Sequence, residues 1–440
     1  MYTKYNKLVM ENQVEYPRFT VIIPQKNRAE YIAHTLKTCM IQEYPNFEVI
    51  VSDDCSEDNS VGVVEELAKK DPRIKLFAHK KHLGMRDNFE FALNQVQPGY
   101  VMALGGDDGL VPGCIMRMYE LIKETGKELL TWPSNFFFYP NNENGKSRFV
   151  INKRTNYQTR IIKSSDYLNK ISHSFNYMTE DCPMFYIKGI ASTDLVNRVK
   201  SRTADGCFYY CPTPDGFSGV VLAGEVKDYA YVTEPLSITG ISPKSQGTAY
   251  KKTDEKSRKE AQEFFNDNIR RTMHKDLASQ QYSPLVVLMT ADYLLTARDL
   301  PGWPGQFDMF SFEDLIKSCF KMLERNPFES EVLVRELKII REIAIQHNCL
   351  ELFDDLLKNT KRKLVREELF CGSVVTRNSM MFDGASMGIN NIYDASLALP
   401  FATKFCSKVS VSAVGRIIKR IIKAYRTSKK YKIEYLPKID

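Results

Sequence analysis

Asp107 and Asp108 stand side by side in ALGGDDGLVPG (Ala103–Gly113), behind an apolar run and two glycines. Neighbouring carboxylates disfavour each other's ionisation unless positive charge sits beside them. A hard divalent cation supplies that charge, and Mg2+ or Mn2+ takes only one or two protein carboxylates while keeping water and phosphate oxygens. Gly105 and Gly106 let the backbone turn and leave space for a bulky ligand. The pair therefore predicts metal-diphosphate binding, with a solvated acidic turn as the alternative, because Asp and Gly favour turns anywhere. A second pair, Asp53 and Asp54, ends another apolar run. Carboxylates there suit the imide N–H of a base or the hydroxyls of a ribose; helix N-capping is their plainer use, and Asp58 or Ser60 can supply it. Neither G-x-x-x-x-G-K-[ST] nor G-x-G-x-x-G occurs, so neither a P-loop NTPase nor a dinucleotide oxidoreductase is supported.

Such pairs act together only if the fold gathers them. Short apolar runs, FTVII (Phe19–Ile23), FEVIV (Phe47–Val51), IKLFA (Ile74–Ala78) and YVMAL (Tyr100–Leu104), alternate with amphipathic segments starting near Tyr31, Val61 and Arg86. Strict strand–helix alternation predicts a mostly parallel sheet with helices on both faces. Ligands of such sheets collect beyond the carboxyl ends of the strands. The polar loops PQKNR (Pro24–Arg28), SDDCSEDNS (Ser52–Ser60), HKKHLGMRDN (His79–Asn88) and GGDDG (Gly105–Gly109) all fall there.

Together FTVIIPQKNRAEY, VIVSDDCSEDNS, KHLGMRDNFEFAL and VMALGGDDGLVPGCI resemble the nucleotide-binding half of family 2 glycosyltransferases, over residues 18–125. The resemblance implies the GT-A fold, a nucleotide-sugar donor (most often a UDP-sugar), Mn2+ or Mg2+ at a DxD-like site, and inversion at the anomeric carbon. Position by position, Pro24, Gln25 and Asn27, with the adjacent Arg28, fall on the family's PTYN motif, where Gln25 and Lys26 replace the usual Thr and Tyr. Asp53 and Asp54 match the DDGS pair that reads uracil and ribose, with Cys55 in place of Gly. Gly84, Arg86 and Asn88 match the NxGxxxARN-type segment near the donor. Asp107 and Asp108 match the DxD, with Asp108 expected to ligate the metal directly.

The resemblance also implies a catalytic Asp after the metal motif, within an ED that precedes a helix. Asp215, in YYCPTPDGFSGVVLAG, stands before a helical pattern with Pro214 in place of the Glu. Glu180-Asp181 supplies the literal ED but precedes a strand-like run, so Asp215 is the expected base and Asp181 the competitor; capping of the following helix is its structural alternative. DYAYVTEPLSITGISPKSQG resembles the strand and loop that close over the donor diphosphate, which puts Ser242, Lys244 and Ser245 on phosphate, although the family's QxxRW feature is missing. The implied reaction is a single displacement in which Asp215 takes the acceptor hydroxyl's proton while a metal stabilises the departing nucleoside diphosphate.

Composition sets the outer limits. With 440 residues, 43% hydrophobic and 26% charged, the chain reads as globular, with room for two or three domains. The first part is read as a GT-A domain over 1–250, with an acceptor half over 126–250. A shift to long helical patterns predicts an α-helical C-terminal domain over 251–403, a possible site of homo-oligomerisation, followed by a basic tail over 404–440. The formal charge of +7 is concentrated in that tail, where eleven Lys/Arg meet only Glu434 and Asp440. That distribution argues against a general nucleic-acid surface. Within it, Ser412–Lys432 alternates Val/Ile with Lys/Arg at helical spacing, which predicts a helix on an anionic membrane surface, with a helix docked on the protein as the alternative.

PLVVLMTADYLLTA is interrupted by Asp292 and reads as a buried helix. MYTKYNKLVMENQ has no apolar h-region, so a cytoplasmic protein, peripheral on the inner membrane face, is expected. Ten scattered cysteines suggest free thiols. The functional expectation is a glycosyltransferase acting on a glycan or lipid-linked acceptor in bacterial surface polysaccharide synthesis. A sugar nucleotidyltransferase, which expects a Gly-rich basic loop after the first strand, and a non-catalytic nucleotide-sugar-binding protein are the alternatives.

Overall fold

The computed structural model describes residues 15–140, 147–152, 156–245, 272–325, 330–364, 379–407 and 432–437, together with 263, 328, 374 and 375. Strands β1 (Phe19–Gln25), β2 (Phe47–Asp53), β3 (Ile74–Ala78) and β4 (Tyr100–Ala103) alternate with helices α1 (Ala29–Met40), α2 (Ser60–Ala68) and α3 (Met85–Asn94). β1 pairs in parallel with β2 and β4, and β2 in parallel with β3. Successive side chains of a strand point to opposite faces. Val21 and Ile23 accordingly join Ile32 and Leu36 of α1 and Val64 of α2 in one core, whereas Ile22 and Ile50 join Phe89 and Leu93 of α3 in another. Burial on both faces is why these strands read as unbroken apolar runs.

The chain continues through β5 (Gly109–Leu110), α4 (Cys114–Thr125), β6 (Leu129–Thr131), β7 (Asn135–Phe138), β8 (Arg148–Asn152), β9 (Thr159–Lys163), α5 (Ser164–Ser174), β10 (Gly189–Ser192), α6 (Thr193–Lys200), α7 (Pro214–Glu225), β11 (Asp228–Val232) and β12 (Ser237–Ile241). The main sheet has the order β3-β2-β1-β4-β10-β6-β11-β9. Its first four strands are parallel as expected, but β10 runs antiparallel to both β4 and β6. A second sheet, with β14 (Val374–Val375) and β15 (Ser379–Asp383), has the order β14-β15-β8-β7-β12-β5, and β13 (Lys361–Leu364) pairs antiparallel with β16 (Lys432–Tyr435). β4 ends at Ala103 in one sheet and β5 begins at Gly109 in the other, so the loop bearing Asp107 and Asp108 bridges the two.

The remaining helices are α8 (Val286–Arg298), α9 (Phe312–Arg325), α10 (Ser330–Gln346), α11 (Leu350–Asn359) and α12 (Ile392–Ser407). α8 is buried from Val287 to Ala297, Asp292 included, as its largely apolar sequence implies. Asp292 within it accepts the His274 N–H at 2.7 Å. No helix among the described residues is long and apolar enough to cross a membrane. The cysteines whose side chains are described form no disulfide.

Packing runs across the expected boundary at 250. Leu285, Leu288, Leu315, Phe320, Leu337 and Phe353 do form a core of their own. Yet Tyr293, Leu294 and Trp303 share a core with Phe217 and Val221 of α7. Farther on, β15 extends the second sheet through β8, from Ser379↔Asn152 to Asp383↔Arg148. α12 packs Ile392, Ala395 and Leu399 against Tyr31, Phe137 and Phe149. The change near 250 is one of local periodicity, whereas these contacts are long-range and leave no periodic trace. Residues 408–431, and with them most of the Ser412–Lys432 segment, lie outside the described residues.

Gly224 shows how tightly the two regions fit. A Cβ there would lie 1.9 Å from Cζ2 of Trp303, whose indole N–H donates to the Val221 carbonyl at 3.1 Å. Gly224→Ala is expected to cost about 1–3 kcal/mol through overpacking, read as a lower denaturant midpoint; an unchanged midpoint would show that Trp303 can leave its seat freely.

Candidate active site

The carboxylate loop is held from three sides. Asp108 is 1% exposed; its Oδ2 accepts the Gly105 N–H at 2.7 Å and its Oδ1 accepts the Gly240 N–H of β12 at 2.8 Å. The Tyr186 hydroxyl also donates to it. These three donors favour the carboxylate, but burial first and Asp107 second push its pKa up to about 8. Asp107 is differently placed, because Ser242 Oγ at 2.6 Å and Ser245 Oγ at 3.1 Å both donate to its Oδ2. No hydrogen bond from a described residue reaches its Oδ1. Gly240 must be glycine for β12 to lie this close, since a Cβ would sit 1.7 Å from the Asp107 carbonyl oxygen. At Gly105 the need is for space: a Cβ there would meet the Tyr186 hydroxyl at 2.5 Å.

Loop 242–245 also clasps the loop after β1. Lys244 Nζ donates to the Asn27 carbonyl at 2.6 Å and lies 3.6 Å from Asp58 Oδ2, and Arg28 Nη2 donates to the Lys244 carbonyl at 2.8 Å. Asn27, at φ 55°, accepts the Glu57 N–H on its Oδ1 at 2.8 Å. Two cations, Arg28 and Lys244, thus stand beside two buried carboxylates. Pro24 lies in β1 opposite Ser52, and Gln25 opposite Asp53. Gln25 Nε2 donates to Asp53 Oδ2, while Asp53 Oδ1 accepts the Ser56 N–H at 2.9 Å. Gln25 Oε1 is buried without a partner.

Four of the sequence-predicted donor contacts instead direct their polar groups into the protein. Asp54 accepts the N–H groups of Leu83 at 2.6 Å and Gly84 at 3.1 Å, fixing the turn into α3. Asn88 clamps α3 to β2 through the Ser52 hydroxyl at 2.6 Å and carbonyl at 3.1 Å. Arg86 donates to the Tyr209 carbonyl and pairs with Asp87 at 2.7 Å and Asp205 at 3.2 Å. Asp54, Gly84, Arg86 and Asn88 therefore brace α3 and the turn that leads into it. Spacing alone does not separate a residue that holds a ligand from one that holds the loop around it.

Asp215 lies in the first turn of α7, with Thr213 at the cap position. Its Oδ1 is buried without a hydrogen-bond partner. Burial raises its pKa, against the pull of the Gly216 and Asp215 amides. It sits close enough to Tyr186 to act on it electrostatically, as do Asp107 and Asp108. Asp181 is engaged elsewhere: burial raises its pKa, but the hydrogen bonds from Lys170 and Thr179 outweigh that and leave it lowered. A carboxylate already ion-paired is the poorer proton acceptor.

Tyr186 is the residue the sequence did not reveal. It precedes Ile187, whose φ is 65°, a costly conformation for a β-branched side chain. The Ile187 N–H is fixed to the Ala103 carbonyl at 2.8 Å. That pin turns the chain so that the Tyr186 hydroxyl reaches Asp108 between the two strands. A surface cavity of about 530 Å3, lined by residues such as His173, Phe310 and Lys321, includes none of the candidate residues.

A mostly parallel sheet that gathers paired carboxylates and two cations at the carboxyl ends of its strands has the arrangement of the GT-A fold. Residues 20–181 match the Glycosyl transferase family 2 model. It is 33% identical over 109 residues to the GalNAc(5)-diNAcBac-PP-undecaprenol beta-1,3-glucosyltransferase of Campylobacter jejuni, covering 24% of this chain and 35% of that protein. It is 29% identical over 130 residues to the cholesterol galactosyltransferase of Borreliella burgdorferi, covering 30% and 36%. The alignments thus span about a third of these curated relatives. The crystal structure of S. aureus TarS 1-349 in complex with UDP-GlcNAc superposes with a TM-score of 0.43 at 14% identity, covering 80% of this chain and 95% of that one.

Proposed function

We propose that this chain is an inverting glycosyltransferase that moves a sugar from a UDP-sugar to a hydroxyl of a glycan or lipid-linked acceptor in bacterial surface polysaccharide synthesis. The observation that carries the reading is the buried Oδ1 of Asp215, without a hydrogen-bond partner, within electrostatic reach of the tyrosine that donates to Asp108. A buried proton acceptor near a charge-compensating site suits a single displacement. The relative from C. jejuni, named for adding glucose to an undecaprenol-linked glycan, supports the acceptor class.

Asp107 and Asp108 fit a divalent cation, because burial and mutual repulsion leave Asp108 short of positive charge. Asp107, through Oδ1, is the direct ligand in this reading, in place of the Asp108 expected from the motif, since Asp108's oxygens already hold Gly105 and Gly240. Among the described residues no group of three His, Cys, Asp or Glu side chains could hold a metal, so diphosphate and water would complete the shell of Mn2+ or Mg2+. Such an ion, when bound, acts as a Lewis acid on the departing diphosphate. Arg28 and Lys244 add positive charge on the same side. Gln25 offers Oε1 to the imide N–H of the base, with Asp53 fixing its amide from behind. Asp215 takes the acceptor hydroxyl's proton as the oxygen attacks the anomeric carbon.

Screening nucleotide sugars for thermal stabilisation with and without Mn2+ tests the reading. A UDP-sugar is expected to raise the melting temperature more with Mn2+ than without, and to be turned over when an acceptor is supplied. No stabilisation by any nucleotide sugar would remove it.

A further inference from the structure

α12 carries apolar side chains on two sides. Its inner side, Ile392, Ala395, Leu399 and Ala402, is buried against the second sheet and α1. On its outer side Leu397 is 43% exposed and Phe401, one turn later, 77% exposed, the highest value among the large hydrophobic residues described. Pro400, also exposed, lies between them. A helix that only covered a core would present polar groups there.

From this we propose that the outer face of α12, through Leu397, Pro400 and Phe401, docks the protein on an anionic bilayer. The charge of the chain selects that occupant. Residues 408–432, directly after α12, hold nine Lys/Arg and no Asp or Glu. Protein surfaces mix both signs and are matched by mixed charge, whereas a bilayer rich in anionic lipid is met by cations alone. An apolar wedge beside a polybasic segment is the two-signal arrangement that makes peripheral binding stable.

The inner face gives the docking a consequence. Ser396 Oγ donates to the Leu110 carbonyl at 2.7 Å. Ile392 Cγ1 lies 2.7 Å from where a Cβ on Gly109, the residue after Asp108, would stand. The helix that meets the bilayer therefore braces the loop that bears the carboxylates, and docking sets the height of the donor site above the membrane. The proposal rests on the transferase reading for this consequence, not for the docking itself.

Flotation of the full chain with vesicles of phosphatidylcholine alone and of phosphatidylcholine with phosphatidylglycerol tests it. The parent is expected to partition onto the anionic vesicles. Leu397→Gln with Phe401→Gln is expected to lower that partitioning at least about tenfold, from the lost burial of two large side chains, with an unchanged melting temperature because both are exposed. Equal partitioning of parent and variant overturns the proposal. So does a variant that turns a dimer into a monomer in sedimentation yet floats like the parent, which assigns the face to a second copy of the chain. Loss of flotation in the variant supports docking even if no nucleotide sugar stabilises the protein, an outcome that removes the transferase reading alone.

Discussion

Asp215→Asn is expected to lower turnover by about 10^2- to 10^4-fold, the usual worth of a positioned general base, while leaving donor affinity within about twofold, because the change removes an interaction made in the transition state only. Asn has nearly the shape of Asp and can still accept the Gly216 amide, so α7 keeps its first turn. The stability prediction has the opposite sign. Burial raises the Asp215 pKa, so the folded chain binds this proton more tightly than the unfolded chain does. Stability from this group is therefore fully present below the ordinary carboxylate pKa and is lost as pH rises through the raised folded value. Asn has no charge to bury, so the variant should be at least as stable as the parent at neutral pH. Loss of activity with equal or higher melting temperature would mark Asp215 as the base, whose burial is tolerated for function; unchanged turnover would remove it from the mechanism. In the parent, turnover should fall as pH drops through the same raised value, because only the ionised carboxylate accepts a proton.

The first half of the fold was legible because each strand–helix unit carries its own period, and because carboxyl-edge loops must converge whatever their sequence. Arg28 after β1, Asp53 at the end of β2 and Asp107 after β4 stand at that edge for that reason. Tyr186 was not legible: its role depends on the left-handed turn at Ile187 and the pin to Ala103, and no local pattern announces either. The same holds for α12, whose inner face answers to Tyr31 and Phe149, hundreds of residues earlier. Asp54, Arg86 and Asn88 show the converse case. Their motif put them near the donor, and the structure shows polar atoms of each held by Gly84, Tyr209 and Ser52 within the protein.

The adjacent aspartates should separate in experiment as they do in space. Asp107→Asn removes charge from the carboxylate whose Oδ1 takes no hydrogen bond from a described residue, while its amide oxygen can still accept from Ser242 and Ser245. It should fold like the parent and lose at least about 100-fold in kcat/KM with Mn2+, since a metal at this site contributes several kcal/mol to the transition state. Its donor-induced thermal shift should no longer respond to Mn2+. Asp108→Asn acts differently, because one amide oxygen cannot serve Gly105, Gly240 and Tyr186 from the two positions the carboxylate now uses. A buried donor left unmatched costs about 1–3 kcal/mol, so this variant should melt lower even without donor or metal. Equal melting temperatures for the two variants, with Mn2+ response lost only in Asp108→Asn, would return direct ligation to Asp108 and make Asp107 the support. Through the same two amides Asp108 ties the loop after β4 to β12, so a residue that helps hold the two sheets together is one that a search for metal ligands alone would count as chemistry.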